Sequence, residues 1–384
     1  MKSANNSILH FKESIFATMT KMAQKNSAIN LSQGFPDFDG PSWIMSLVTQ
    51  AMAHGHNQYA PTHGVPELRQ TIAHNYKKFY ALDFDPLDEI TITNGATEAI
   101  FCTITALVNP GDEVIVLEPF YDSYVAALNL AQANIIPVTL YRDAFCFRIE
   151  ELTHAFSEKT KLIILNNPHN PTGKMFTREE LEVIIALAEK YDAYILSDEV
   201  YEFLTFDGAR HIPTATLGKA IDRTITISSA GKTFGVTGWK IGWTIARGPI
   251  SHHIRMVHQF NTFSVCTPMQ WAVNQALQKL DDYLPEFRQL YQEKRDFFCR
   301  GLKEANYNPI IPQGTYFTVA PIGHLTQLHD VGHCMELIER KKVAAIPPSV
   351  FYLKSKEGQE YIRFCFAKKS ETLEKALHNL KSRI

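Results

Sequence analysis

Short apolar runs, few of them interrupted by charge, punctuate the chain from Glu89 onward: ITIT (90–93), EVIVLE (113–118), NIIPVTL (134–140), KLIILNN (161–167), AYILSDE (193–199), TITISS (224–229) and IGWTIA (241–246). A strand with one face in water alternates apolar and polar residues; these runs barely alternate and so predict strands buried on both faces. Between them, TEAIFCTITALV (97–108), YDSYVAALNLA (121–131) and TREELEVIIALAEKY (177–191) have helical spacing. The last is opened by Thr177 with Glu180 three residues on, a capping box. Strands and helices in alternation predict an α/β fold, a mostly parallel sheet wrapped by helices. Beyond about residue 246 the rhythm changes. Long helical patterns dominate 249–306, then short strands are expected near 315–319, 343–346 and 361–366 and a last helix from about 370. That shift predicts a smaller α+β domain. The expected division is an N-terminal segment over 1–45 that joins the small domain, a large domain over 46–283 and the small domain over 284–384.

Ligands of open α/β sheets gather beyond the carboxyl ends of the strands, so the polar residues that close the predicted strands are the candidates. Five ends are chemically loaded: Asn94-Gly95-Ala96-Thr97-Glu98, Glu118-Pro119-Phe120-Tyr121, NNPHNPTG (166–173), Ser197-Asp198-Glu199-Val200-Tyr201 and SSAGKTF (228–234). They offer a lysine, an acid deep in the sheet, an amide, a tyrosine and an anion cup rich in Gly, Ser and Thr. A phosphorylated ring aldehyde that can be protonated would use each of them. The aldehyde condenses with the lysine, the acid keeps the ring nitrogen protonated, and the ring then withdraws electrons from a carbanion.

The segment SSAGKTFGVTGWKIGW (228–243) resembles the cofactor-lysine motif of the class I and II aminotransferases, enzymes of fold type I that use pyridoxal phosphate (PLP). The resemblance runs in order through LSQGFPDFDGP (31–41), NQYAPTHGVPELR (57–69), the five strand ends and IRFCFA (362–367), and is strongest to the kynurenine, glutamine and methionine aminotransferase group. It implies that Lys232 holds the cofactor and, once released by substrate, shuttles a proton between the substrate Cα and the cofactor. Asp198 would pair with the ring nitrogen, and Tyr201 and Asn170 with the phenolic oxygen. Backbone amides of Ala96 and Thr97, with Ser229 and Lys240, would hold the phosphate. Tyr121 would stack on the ring. Arg363 would grip the substrate carboxylate in a bidentate fork, next to Gly34 and Phe35. Tyr59 would reach the phosphate of a neighbouring subunit, which makes the expected unit a homodimer.

The resemblance implies that members of this family that take aspartate use a second arginine, from the partner subunit, for its side-chain carboxylate. The corresponding region here, HQFNTFSVCTP (258–268), offers Phe260, Asn261 and Phe263 instead. Donors with apolar, aromatic or amide side chains, such as methionine and glutamine, are therefore expected, with transfer to a 2-oxo acid by a ping-pong route through pyridoxamine phosphate. A PLP-dependent lyase acting on cysteine-type sulfur would use the same lysine, acid and arginine and is the alternative.

Other classes fit less well. Gly-Lys-Thr at 231–233 would need a glycine at position 226 to be a nucleotide phosphate loop, and threonine stands there. No two glycines stand two apart, so the dinucleotide fingerprint is missing. Fifteen histidines include no HExxH, and no metal is expected. A formal charge of −2 provides no basic field for nucleic acid or an anionic membrane surface. Six scattered cysteines without a CxxC pair fit reduced thiols, and the first 24 residues contain no leader-like apolar core, so a cytoplasmic location is expected.

Overall fold

A computed structural model describes residues 5–8, 11, 13–142 and 144–382. The remaining positions, some of them in the segments 1–45 and 284–384, lie outside it. The strands are β1 (Ile29–Asn30), β2 (Ile90–Asn94), β3 (Glu113–Glu118), β4 (Asn134–Thr139), β5 (Thr160–Asn166), β6 (Tyr194–Asp198), β7 (Thr224–Ser229), β8 (Ile241–Ile245), β9 (Phe317–Pro321), β10 (Val343–Ala344) and β11 (Tyr361–Cys365). The helices are α1 (Ile15–Lys25), α2 (Ser42–Ala53), α3 (Pro66–Tyr80), α4 (Gly95–Leu107), α5 (Asp122–Leu130), α6 (Ile149–Ala155), α7 (Arg178–Lys190), α8 (Ala230–Thr233), α9 (Gly248–Asn261), α10 (Thr267–Leu277), α11 (Leu280–Glu304), α12 (Asp330–Glu336) and α13 (Ser370–Lys381).

Seven strands form one sheet in the order β2-β8-β7-β6-β5-β3-β4, parallel throughout except for β8, which runs against both its neighbours. This is the α/β, mostly parallel sheet that the unbroken apolar runs predict. Central strands such as β7 and β8 are buried along their whole length, and apolar layers cover both faces. The capping box of α7 is formed: the Thr177 hydroxyl accepts from the Glu180 N–H, and the Glu180 carboxylate accepts from the Thr177 N–H.

One strand departs from expectation. NIIPVTL was expected to be covered on both faces, but β4 is the sheet edge and its first four residues are partly exposed. Pro137 has no N–H to give to a ladder, so an edge is where such a strand is tolerated. The expected strand at 315–319 starts later, at Phe317, because Thr315 has a left-handed φ of 66°.

Outside the main sheet, β9 pairs with β11 antiparallel and β1 with β10 parallel, so residues 29–30 join the C-terminal part of the chain. Residue 284 lies inside α11. No helix among the described residues is long and apolar enough to cross a membrane.

Candidate active site

Strands β5, β6 and β7 end side by side: Asn166 stands opposite Asp198, and Asp198 opposite Ile227. Because β8 is antiparallel, it begins where its neighbours end, with Ile241 opposite Asn94 and Gly242 opposite Ser229. Lys240, just before β8, is thereby delivered to the same edge. Above that edge is a cavity of about 320 Å³ lined by Gly34, Phe35, Ala96, Thr97, Tyr121, Asn170, Asp198, Tyr201, Ser229, Lys232, Lys240 and Arg363. Of the residues that the resemblance assigns to cofactor or substrate carboxylate, all but Tyr59 meet here. Tyr59 is 80 % exposed and packs edge-on against Phe263, ring centroids 5.3 Å apart. Phe260 and Phe263 are also exposed and do not line this cavity, while the Asn261 amide is directed at Glu98.

Lys232 belongs to α8, whose start is capped by Ser229, the hydroxyl accepting from the Gly231 N–H at 3.2 Å. Its Nζ donates to the Tyr316 hydroxyl at 3.1 Å, which in turn donates to the Gly34 carbonyl at 2.6 Å. Burial removes water from the ammonium and pushes its pKa down to about 8, although Asp198 pulls the other way. That is a lysine able to exist as a free amine near neutral pH.

Asp198 is buried at the end of β6. The Tyr124 hydroxyl donates to Oδ2 at 2.5 Å and the Val200 N–H to Oδ1 at 3.4 Å. Burial raises its pKa to about 6, and the hydrogen bond from Tyr124 limits the rise. A dry carboxylate at the foot of the cavity is matched to a cationic N–H above it.

Arg363, in β11, is 1 % exposed and has no ion pair among the described residues. Nη1 donates to Asn170 Oδ1 at 3.1 Å and Nη2 to the Ser32 carbonyl at 2.8 Å, while Nε has no partner among the described residues. The guanidinium lies 4.2 Å from the centroid of the Phe317 ring. A buried guanidinium without a carboxylate is costly, and an anion bound in the cavity would offset that cost. Burial lowers even this pKa, to about 10.

Gly95 has φ +75°, and a Cβ on it would come within 3.3 Å of the Lys240 ammonium. A Cβ on Gly242 would meet the Gly95 carbonyl carbon at 2.7 Å. Two glycines thus let β8 press against the start of α4 and leave Lys240 beside its first amides, whose N–H groups have no partner within the helix. Lys240 makes no ion pair among the described residues, so cation and amides form a cup for an anion.

A match to the family model for aminotransferase class I and II covers residues 26–380. The chain belongs to the class I and II aminotransferases. It is a transaminase of EC 2.6.1, and its cofactor is PLP, as in the rest of the family. The aminotransferase is 39 % identical over 367 residues to the methionine aminotransferase of Escherichia coli K12, covering 96 % of this chain and 95 % of that one. It is also 39 % identical to kynurenine–oxoglutarate transaminase 3 of Rattus norvegicus, covering 95 % and 87 % respectively. Among solved structures, the Escherichia coli protein with methionine aminotransferase function superposes with a TM-score of 0.96 at 38 % identity, covering 99 % of this chain and all of that one. The N-succinyldiaminopimelate aminotransferase of Mycobacterium tuberculosis superposes at 0.95 and 37 % identity, with 99 % of each chain covered.

The cavity of this aminotransferase fits PLP on its own geometry. The cup suits a phosphate, the dry acid suits a protonated ring nitrogen, Lys232 suits an aldehyde, and the orphaned Arg363 Nε suits a substrate carboxylate. Sequence reasoning missed Tyr124 and Tyr316, which hold Asp198 and Lys232, and Phe16 and Phe317 in the cavity wall. Tyr124 had a signal, since it lies three residues after Tyr121, in the first turn of the helix that Tyr121 precedes. Tyr316 had none: it arrives from 84 residues downstream of Lys232.

Proposed function

We propose that this aminotransferase takes its amino group from amino acids with apolar, aromatic or amide side chains, such as methionine, the aromatic amino acids and glutamine. It passes that group to a 2-oxo acid in a ping-pong sequence of two half-reactions. One observation carries the reading: the only cations lining the cavity among the described residues are Lys232, Lys240 and Arg363. Each has a task, so this chain's own lining keeps none for a side-chain carboxylate, and the 258–268 segment it would offer to a partner contains no arginine. Phe16, Phe35, Tyr121 and Phe317 offer apolar wall instead.

When bound, PLP supplies an aldehyde that condenses with amines, a ring that takes up the electron pair left on Cα, and a store for the amino group between donor and acceptor. Backbone N–H groups of Ala96 and Thr97, with Ser229 and Lys240, hold the phosphate. Asp198 accepts from the ring N–H and keeps it protonated, Tyr121 covers the ring face, and Tyr201 with Asn170 donates to the phenolic oxygen. Arg363 clasps the α-carboxylate beside Gly34 and Phe35, which turns the Cα–H towards Lys232. Once the substrate amine has displaced it from the cofactor, Lys232 Nζ would be free to take that proton and to return it to the former aldehyde carbon, on the other side of the transferred nitrogen. Because Lys232 lines the cavity itself, the transfer would need no diffusing base.

The reading includes a homodimer in which Tyr59 reaches the partner's phosphate. The exposure of Tyr59, Phe260 and Phe263 on one stretch of surface supports it. A cytoplasmic location is in keeping with six free cysteines.

The test is incubation of the PLP-loaded enzyme with methionine and no acceptor. About one equivalent per site of the matching 2-oxo acid, followed by arrest until a 2-oxo acid is added, supports transamination. Continuous release of ammonia and thiol would replace the proposal with a lyase. Faster turnover of aspartate than of methionine, phenylalanine or glutamine would overturn the substrate class.

A further inference from the structure

Beneath the candidate phosphate cup lies a buried pair that the reaction does not use. His258 on α9 is fully buried, with Nδ1 2.8 Å from Oε1 of Glu98 and Nε2 2.8 Å from the Thr62 carbonyl oxygen. A carbonyl has no proton to give, so Nε2 must donate. The remaining question is which side holds the proton between Nδ1 and Glu98. The Glu98 carboxylate also accepts from the Asn94 N–H, from the Asn261 amide at 3.4 Å and from the Cys102 thiol at 3.8 Å. Every partner is a donor, which favours the ionised carboxylate. Burial alone would raise the Glu98 pKa, yet hydrogen bonds from His258, Thr262 and Asn94 outweigh it and leave it lowered.

We infer that His258 is a doubly protonated imidazolium that neutralises Glu98 and so acts as a positioning residue for the phosphate-binding turn.

Glu98, Cys102 and His258 are close enough together to suggest a metal site. Both imidazole nitrogens are spent on hydrogen bonds, which leaves no lone pair for an ion. The surrounding groups do not compete for the role. Burial keeps the Cys102 thiol protonated. His63 is driven down to about 4, by burial first and then by Arg255, Arg69 and His258, so it is neutral. Arg255 gives its protons to Thr91 and to the Leu87 and Ile90 carbonyls, and Arg69 to those of Pro86 and Leu87.

The consequence concerns the cofactor. Glu98 lies in the first turn of α4, the turn whose Ala96 and Thr97 line the cavity. A helix start attracts anions, and a bare carboxylate there would repel a phosphate that seeks the same field. The imidazolium cancels that charge while Glu98 still anchors the Asn94 N–H. His258 also pins Thr62 to α9, next to the place where Ile92 takes the His63 carbonyl at 3.1 Å. The inference rests on reading the start of α4 as the phosphate cup.

Neutron diffraction from the deuterated holoenzyme at pD 8 tests the charge directly: deuterium is expected on both His258 nitrogens, and a single deuteron overturns the inference. The role is tested by comparing PLP with pyridoxal, which lacks the phosphate, in their release from loaded enzyme. His258→Gln should weaken retention of PLP by about tenfold and that of pyridoxal by no more than about twofold. Adding Glu98→Gln to it should recover most of the loss. Equal losses for both ligands, or no recovery, would refute the role. Lys240→Ala reports on the cup itself. If it abolishes the preference for PLP over pyridoxal while His258→Gln does not, the inference fails and the cup stands; if neither variant alters the preference, both fail. Should His258→Gln not fold, the neutron result decides.

Discussion

Tyr124 donates its hydroxyl to Oδ2 of Asp198 at 2.5 Å, and both side chains are buried. The bond favours the charged form of an acid that burial pushes towards neutrality, so Tyr124 tunes the group proposed to pair with the cofactor ring. Tyr124→Phe keeps the ring that packs edge-on to Tyr121 and removes only the donor. The Asp198 pKa should then rise above its value of about 6. Activity that needs the carboxylate should therefore be lost at a higher pH as acid is added. We expect turnover at neutral pH to fall about three- to tenfold, in keeping with one hydrogen bond to a charged group. A pH–rate profile whose acid limb does not move would count against this role.

Asp198 also leaves a mark on stability. Its pKa is about 6 in the folded protein against 3.8 ordinarily. The folded state therefore binds the extra proton between these values, and the ionised acid destabilises the cofactor-free protein. The penalty is absent below the lower value and complete above the higher one, at most on the order of 3 kcal/mol. Asp198→Asn should melt above the wild type at pH 7.5, with the gap closing towards pH 4, when both are measured without PLP. A gap independent of pH would show that the acid is not held as described.

Arg363 should separate substrate from cofactor. Arg363→Ala removes the buried fork and is expected to cut kcat/KM for the amino acid by about 100-fold, within the cost of losing one member of a buried charged pair. The visible absorbance of the bound cofactor should be retained, since the role proposed for Arg363 is towards the substrate. Spectral titration with methionine, compared with wild type, checks the split; saturation at the wild-type concentration would assign the carboxylate to another group.

Gly95→Ala probes the cup. The backbone there is left-handed and the new methyl would press on Lys240 at 3.3 Å. Backbone strain of about 1 kcal/mol and a displaced ammonium should together speed PLP release by about tenfold. Thermal unfolding of the loaded and cofactor-free forms would show the loss mainly in the loaded one.

Lys232→Ala should abolish transamination and remove the visible absorbance of the lysine-linked cofactor, while PLP can still be held through the cup. The readout is the spectrum after gel filtration of protein incubated with PLP. A wild-type spectrum in this variant would move the linkage to a different amine.

The unbroken apolar runs located the sheet strands to within a residue or two, because burial on both faces is recorded residue by residue in hydrophobicity. The polar ends of those runs marked Asn94 to Thr97, Asp198 and Lys232, because in an open parallel sheet the strand ends are where ligands fit. These are local properties, and the sequence alone determined them. Only the tertiary structure decided the strand order, the reversal of β8 that brings Lys240 to the site, and the place of β4 at the edge. It also decided which side chains meet from far apart in the chain: Tyr316 and Lys232 across 84 residues, Asn170 and Arg363 across 193, Glu98 and His258 across 160. Such pairs leave no period in the chain. They exist because closing the fold sets distant segments at hydrogen-bonding distance, and that is a property of the whole packed molecule rather than of any stretch of it.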